Sequence, residues 1–404
     1  MTIEHHGTLD RAAFDKLSSM LSFVQLDYAD RGSFNALRRA LGGAEHPLHY
    51  LAIPPSAFPA VVSGLRDSGC SAHARVALEK PFGRDLASAR ALDETLHEVF
   101  PESAIFRIDH YLGKEPLLNL PYFRFTNRLL EGVLDRDNVG SVQITMAESS
   151  GVRGRGSFYE ETGAIRDVIQ NHVLQMTAML AMDPPVGTDV EAIRDEKARI
   201  LKAMAPLDAE HVVRGQFRGY RDEPGVAAGS TVETFAAATL HIDTWRWADV
   251  PFFLRAGKCL AAHAIELRVQ FKRPPREVFP ERSLPPEYFR FRVGPDVSAL
   301  AVGLHVKRPG EAMVGQEVEL LASECEAGEL LPYERLLGDA MRGDTGLFGR
   351  QDAIEEQWRI IEPALGMPTQ PYPYARGTWG PAEADRLVAG VPGGWQQPIE
   401  RNTS

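Results

Sequence analysis

A short apolar run at 104–109 (AIFRID) leads directly into Asp109, His110, Tyr111 and Lys114. If that run is a strand of an open parallel sheet, these side chains stand at its carboxyl end, where such sheets place their ligands. An imidazole, a phenol and an ammonium so close together suit a phosphate dianion beside a helix N-terminus. The residue types alone also fit an exposed polar turn. A second candidate is His172, flanked by Val168, Ile169, Val173 and Leu174. Histidine titrates near neutral pH and suits proton transfer, yet in that company it also reads as a satisfied core residue. Taken singly, Glu148 is an ordinary strand carboxylate, Asp167 and Lys258 are surface charges, and Lys80 is an exposed strand-end lysine before Pro81, a candidate cis-proline. Asp167 and His172 lie five apart, about 140° around an α-helix of ~3.6 residues per turn, so they do not share one stripe but can still frame one cleft.

The elements that must position these residues fall into two groups. Strands are predicted near 22–26 (SFVQL), 49–54 (HYLAIP), 75–80 (RVALEK) and 104–109. Leu86, Ala89, Leu92, Leu96 and Val99 predict an amphipathic helix over 85–100, and the alternation of strands with helices is that of an α/β domain. Beyond residue 110, helical patterns cover 117–130, 164–182, 334–342 and 350–361. Val142, Ile144 and Met146 alternate with polar residues, as do Leu267, Val269 and Phe271, and further strands are expected at 233–243, 299–306 and 316–322. A large, mainly antiparallel sheet with helices, an α+β domain, follows from that pattern. Pro121 interrupts the first helical pattern and predicts a bend there, and the Pro- and Gly-rich tail from 363 predicts an extended strap.

With 404 residues the chain is long enough for two domains, and its 44% hydrophobic and 25% charged content is that of a globular protein. A formal net charge of −11 argues against broad binding to nucleic acid or an anionic membrane, so an anionic substrate needs a local basic pocket. No run approaches the roughly 18 apolar residues of a membrane span, and the first residues lack the pattern of a secretory leader. Cys70, Cys259 and Cys325 are far apart with no metal-ligand spacing, which points to a reducing, cytoplasmic setting and no metal site.

Residues 107–115 read RIDHYLGKE, and EKPFGRDL (79–86), GAIRDVIQNHVLQ (163–175), RDEKARIL (194–201), GSTVETFAAATLHID (229–243), VPFFLRAGK (250–258) and PYERLLGDAMRGDTGLF (332–348) follow in a consistent order. Carrying these segments, the chain is identified as a member of the glucose-6-phosphate dehydrogenase family. The resemblance implies oxidation of glucose 6-phosphate at C1 to 6-phosphogluconolactone, the entry step of the pentose phosphate pathway, with hydride passing to NADP. It implies His172 as general base and Asp109 as its partner, His110, Tyr111 and Lys114 on the substrate phosphate, and Glu148, Asp167 and Lys258 on sugar hydroxyls. Lys80 falls near both substrate and nicotinamide, and Pro81, Pro54 and Phe58 join it on the cofactor side. A homodimer or higher oligomer is implied as well.

The family opens with a strand, a G-x-x-G-D-L-A turn and a helix that hold the cofactor pyrophosphate, and no such glycine pattern occurs in residues 1–50. The expectation is therefore an incomplete Rossmann-like domain at 1–109, lacking the Gly-rich segment and the residues that choose NADP over NAD, followed by a substrate-binding and dimerisation domain at 110–404. Residues 1–48 are then expected to be marginally stable. His263 stands where the family has a lysine or arginine near the phosphate, replacing a permanent cation by a titrating one. Three readings stay open: an active dehydrogenase, a noncatalytic sugar-phosphate-binding relative or partner subunit, and a different oxidoreductase or sugar-phosphate enzyme on this scaffold.

Overall fold

The computed structural model describes residues 10–276, 278–279, 284–294, 298–310, 312–325 and 331–398. The expectation for residues 1–48 thus falls partly outside the described residues. Helices α1 (Arg11–Met20) and α2 (Phe34–Leu41) lead into β1 (Leu48–Leu51), α3 (Phe58–Asp67), β2 (Arg75–Glu79), α4 (Leu86–His97) and β3 (Ile105–Ile108). The strands form a parallel sheet in the order β1-β2-β3, with Leu48 opposite Arg75 and Val76 opposite Ile105. Val76, Ala77, Leu78, Ile105 and Phe106 are all fully enclosed, as expected of a parallel sheet covered on both faces. Asp85 opens α4 through a reciprocal capping box with Ser88, and Ala89 and Leu96 are buried on its inner face.

The strand expected at 22–26 does not form, and those residues have no regular structure. Phe23 is 90% exposed and α1 buries no side chain. An apolar pentapeptide becomes a strand only where a neighbour supplies the ladder, and none lies beside it among the described residues.

After β3 come α5 (Glu115–Thr126), α6 (Arg128–Glu131), β4 (Val139–Ala147), α7 (Gly156–Ala164), a π-helix (Ile165–Val173), α8 (Leu174–Ala181) and α9 (Val190–Ala203). They are followed by β5 (Val212–Phe217), β6 (Phe235–Leu240), β7 (Phe252–Gly257), β8 (Ala264–Phe271), β9 (Tyr288–Val293), β10 (Ser298–Lys307) and β11 (Gly315–Cys325). Helices α10 (Pro332–Arg342) and α11 (Gln351–Ile361) and a short β12 (Tyr372–Tyr374) complete the chain. The second sheet has nine strands in the order β11-β10-β9-β8-β4-β7-β6-β5-β12, antiparallel except for β4 with β7 and β5 with β12. Its core joins residues of α5, the π-helix, α8, α9 and α11 to β4, β6, β7 and β8. On the other face lies the tail, expected as a strap. Gln143 and Gln270 donate to the carbonyls of Gly394 and Pro392, and Arg255 sits between the rings of Trp379 and Trp395.

Helix α5 runs through Pro121, and the break comes at Asn127, where φ is −117° and ψ is 84°, rather than at the proline. Arg107 on β3 is 1% exposed and its guanidinium bonds Asp93 on α4 and Glu102 ahead of β3, where the first sheet meets the segment leading into α11. The Arg107 carbonyl accepts from Gly349, and Leu336, Ala340 and Phe348 pack on Ala77, Phe106 and Ile108.

Candidate active site

Asp109 follows β3 and accepts at Oδ1 from its own turn, the Tyr111 amide at 3.0 Å. The same oxygen lies 2.7 Å from His172 Nδ1. His172 comes from the π-helix, which starts after Gly163 at φ +64°, where a Cβ would meet Glu233 Oε1 at 2.4 Å. Winding of the i→i+5 type stacks residues five apart. Asp167 and His172 therefore face the same way, which corrects the α-helical expectation. The Lys80 ammonium touches both, at 3.2 Å from Asp167 Oδ1 and 2.9 Å from His172 Nε2.

Lys80 is carried by β2, ahead of a cis Lys80–Pro81 bond. The loop beyond it is held from the second sheet's helices: Trp358 Nε1 donates to the Phe82 carbonyl at 2.9 Å and Arg166 Nε to that of Arg84 at 2.9 Å. From the strands come Glu148, just after β4, and Lys258, just after β7, paired at 2.5 Å. These strands are parallel neighbours, so their carboxyl ends deliver the pair side by side. His110, Tyr111 and His172 form one aromatic group, with ring centroids 4.1–5.1 Å apart, and the Lys114 ammonium lies over the Tyr111 ring at 4.1 Å.

The electrostatics follow from burial and partners. Asp109, Asp167, His172 and Lys258 are each less than a tenth exposed. Burial works to raise the Asp109 carboxyl, but the adjoining His172 and Lys80 outweigh it and hold it well below the usual carboxylate range. For His172, burial lowers its proton affinity by more than Asp109 restores, so the imidazole is neutral at neutral pH. The Asp109 contact fixes the proton on Nδ1 and leaves the Nε2 lone pair to accept. Burial, reinforced by His172, brings His110 down to about 4, so its ring contributes hydrogen bonds rather than charge. Asp167 stays ionised, since Lys80 and Lys258 overcome its burial.

Not every expected residue joins this group. His263 is exposed in the loop between β7 and β8, where its carbonyl faces Arg292, and no described contact brings its ring to the cluster. Pro54 is exposed after β1, whereas Phe58 is 1% exposed and enclosed in the core beneath the strand ends. Two tyrosines with no role in the motif reading also join: Tyr333, whose ring stacks over His110 at 6.2 Å, and Tyr159, which lies under the Lys258 ammonium at 5.5 Å. Tyr333 falls in the quoted PYERLLGDAMRGDTGLF segment, so the signal was present without a partner to interpret it.

Asp109, His110 and His172 bring ligand-type atoms within 4.8 Å of one another, and the Lys80 ammonium lies 2.9 Å from His172 Nε2. A cavity of about 400 Å³ adjoins Lys80, Pro81 and Asp167 and is rimmed by Arg84 and Arg166. A wider opening of about 1,090 Å³ near Arg128 and Trp245 contains none of the cluster.

Two family models match the chain: "Glucose-6-phosphate dehydrogenase, NAD binding domain" over residues 1–119 and "Glucose-6-phosphate dehydrogenase, C-terminal domain" over 121–396. The first match gives no support to the expectation that a Gly-rich dinucleotide-binding segment is lacking. "Glucose-6-phosphate 1-dehydrogenase 1" of Mycobacterium tuberculosis is 42% identical over 395 residues, covering 96% of this chain and 84% of that protein. The cytoplasmic isoform of Solanum tuberosum is 39% identical, covering 95% and 79%. The solved glucose-6-phosphate 1-dehydrogenase of Mycobacterium avium superposes with a TM-score of 0.91 at 45% identity, covering 97% of this chain and 86% of that one. A glucose-6-phosphate dehydrogenase solved with its substrate glucose-6-phosphate gives 0.87 at 35% identity, covering 96% and 85%. No helix among the described residues is long and apolar enough to cross a membrane. Two domain models that together span most of the chain, with relatives and solved structures that agree, place it in the glucose-6-phosphate dehydrogenase family.

Proposed function

We propose that the chain oxidises glucose 6-phosphate at C1 to 6-phosphogluconolactone with NADP as hydride acceptor. The observation that carries this reading is a neutral, buried His172 whose Nδ1 lies 2.7 Å from ionised Asp109, with Nε2 2.9 Å from the Lys80 ammonium. His172 Nε2 takes the proton of the C1 hydroxyl as the C1 hydrogen leaves with its electron pair. The C1–O bond becomes the lactone carbonyl and His172 becomes an imidazolium. Asp109 stabilises that imidazolium and fixes the tautomer that receives the proton. Lys80 has to give up its contact with Nε2 when the sugar hydroxyl arrives, and Asp167 holds it close by.

His110, Tyr111 and Lys114 receive the phosphate, with Lys114 as cation and His110 as a neutral donor. Glu148, Asp167 and Lys258 bond sugar hydroxyls, since an unpaired buried polar group costs about 1–3 kcal/mol. His263 belongs to the outer rim of that phosphate site. When bound, the cofactor supplies the hydride acceptor. The carboxyl ends of β1–β3 and the 400 Å³ cavity beside Lys80 and Pro81 fit its nicotinamide end, with Pro54 farther along the same edge. Phe58 supports that edge from within the core.

The same proposal places the domain boundary after Asp109, a homodimer contact on the large sheet, and the protein in the cytoplasm. It keeps NAD as a competing acceptor. The second reading is a noncatalytic sugar-phosphate-binding relative or partner subunit. The test is the recombinant 404-residue chain given glucose 6-phosphate with NADP or NAD, followed by nicotinamide reduction and calorimetric binding. Reduction with glucose 6-phosphate supports the dehydrogenase, and substrate binding with no reduction by either cofactor favours the second reading.

A further inference from the structure

Asp109 engages His172 and the Tyr111 amide through Oδ1 alone. Its other oxygen, Oδ2, is fully buried and has no hydrogen-bond partner among the described residues, and His172 Nδ1, though 2.7 Å from Oδ1, is not aligned for a hydrogen bond either. Gln175 Oε1 is in the same condition; the residue is 3% exposed on α8, three positions after His172. Both side chains line a single small cavity behind the dyad, together with Gln170, Gln357, Lys80 and Arg107; Lys80 is engaged by Asp167 and His172, and Arg107 by Asp93 and Glu102. Two buried acceptors cannot satisfy each other, and each costs about 1–3 kcal/mol if left unmet. One water between them would give a hydrogen to each. The cavity offers about 10 Å³ of water-sized space, and one water needs about 10–15 Å³ on that measure.

We propose that Gln175 is a positioning residue for the dyad, holding Asp109 Oδ2 through one ordered water in the cavity that both side chains line. The inference deepens the role given to Asp109 under the proposed function and rests on that reading. With Oδ1 bound to His172 and Oδ2 bound through the water to α8, the carboxylate plane is fixed at both ends. A second donor also spreads the Asp109 charge, which moderates its pull on the imidazole proton. The charged and titratable groups facing the dyad are Lys80 just after β2, His110 and Tyr111 from the turn, Asp167 from the π-helix, Lys197 from α9 and Tyr333 from α10. None of these lies on α8, so Gln175 is the contribution of that helix.

The test compares the full chain with Gln175→Met, which keeps length and volume without an oxygen, and Gln175→Glu. Beside ionised Asp109 a buried glutamic acid stays protonated and keeps a carbonyl acceptor of the same reach. In Gln175→Met the His172 imidazole, followed by NMR, should titrate about half a unit to one unit higher, because Asp109 has lost a donor and pulls harder. The same variant should lose about tenfold in kcat with KM for glucose 6-phosphate within about twofold, and Gln175→Glu should return kcat to within about threefold. A crystal structure of the wild-type chain should show a water within hydrogen-bond distance of both oxygens. An unshifted titration in Gln175→Met, an equal loss in both variants, or no such water overturns the inference. The titration and the water need no turnover, so an inactive wild-type chain refutes the proposed function and leaves these two readouts to decide the role of Gln175.

Discussion

The two walls of the cleft differ sharply in how their residues are held. On the substrate wall, Asp109, Asp167, His172 and Lys258 are nearly enclosed, and each is met by an oppositely charged or hydrogen-bonding partner within 3.2 Å. On the coenzyme wall, the approach to β1 leaves Phe14, Leu17, Met20, Leu21 and Phe23 at least half exposed, and the sheet has three strands. Buried charges are tolerated only when paired, so the substrate wall is over-determined by its own electrostatics. The coenzyme wall rests on apolar packing that begins at Phe34 and is sparse before it. Function should therefore respond steeply to substitutions on the first wall, and stability hardly at all to substitutions at the start of the second.

The largest effect is expected at Asp109. Replacing it with Asn removes the charge that stabilises the imidazolium and permits the wrong tautomer, so kcat should fall about 10³–10⁴-fold in steady-state assays. Next comes Arg107, two residues earlier in RIDHYLGKE. Arg107→Ala strands Asp93 at the seam between the sheets and should cost about 3–5 kcal/mol in denaturant unfolding, with no direct effect on the chemistry. If Arg107→Ala reduced kcat as far as Asp109→Asn while leaving stability intact, the division between staple and dyad would be wrong.

The pH dependence sharpens the same contrast. His172 acts as a base when neutral, and burial holds its proton affinity below the ordinary histidine value. The rate kcat/KM should therefore fall only as pH drops below about 6.5, with a flat profile above it up to the next ionisation. A midpoint above 7 would mean that Asp109 dominates over burial. For stability the sign is also fixed. A histidine whose folded proton affinity is lowered opposes the fold once pH drops below its unfolded value near 6.5, so stability should decline there as well.

The smallest effects belong to the coenzyme wall. Phe23→Ser and Met20→Ser should change unfolding free energy by less than about 0.5 kcal/mol, because both side chains already face solvent. Amide exchange across 10–33 should be fast and across β2 and β3 slow. Uniform strong protection over both would contradict the low packing of that approach.

Much of the site was legible from RIDHYLGKE and its companion segments, because the strand end and the family resemblance together located Asp109, His110, Tyr111 and Lys114. The pairing of Asp167 with His172 was not, since periodicity arguments assume α-helical winding and the segment is wound more loosely. Strands β5, β7 and β9 were harder to read because VVRGQF, FFLRAG and YFRFRV carry arginines at enclosed positions. Arg214 spends its guanidinium on the carbonyls of Met367, Thr369 and Thr231, and Arg255 lies between two tryptophans. Partners so distant in sequence cannot be read from a local pattern. The opposite holds at 22–26, where a short apolar run predicts a strand that finds no neighbour to pair with among the described residues. At His263, position within a motif predicts a phosphate ligand, and the side chain is exposed between β7 and β8, at the rim where the proposal keeps it.

The most direct test of the dyad assignment pairs binding with turnover in one variant. His172→Asn removes the base and leaves His110, Tyr111, Lys114, Glu148 and Lys258 in place. Wild-type chain should reduce NADP on adding glucose 6-phosphate. His172→Asn should bind glucose 6-phosphate by calorimetry within about threefold of wild type while reduction falls at least about 10³-fold. Turnover by His172→Asn near the wild-type rate would contradict the account, because the proton would then leave C1 by another route.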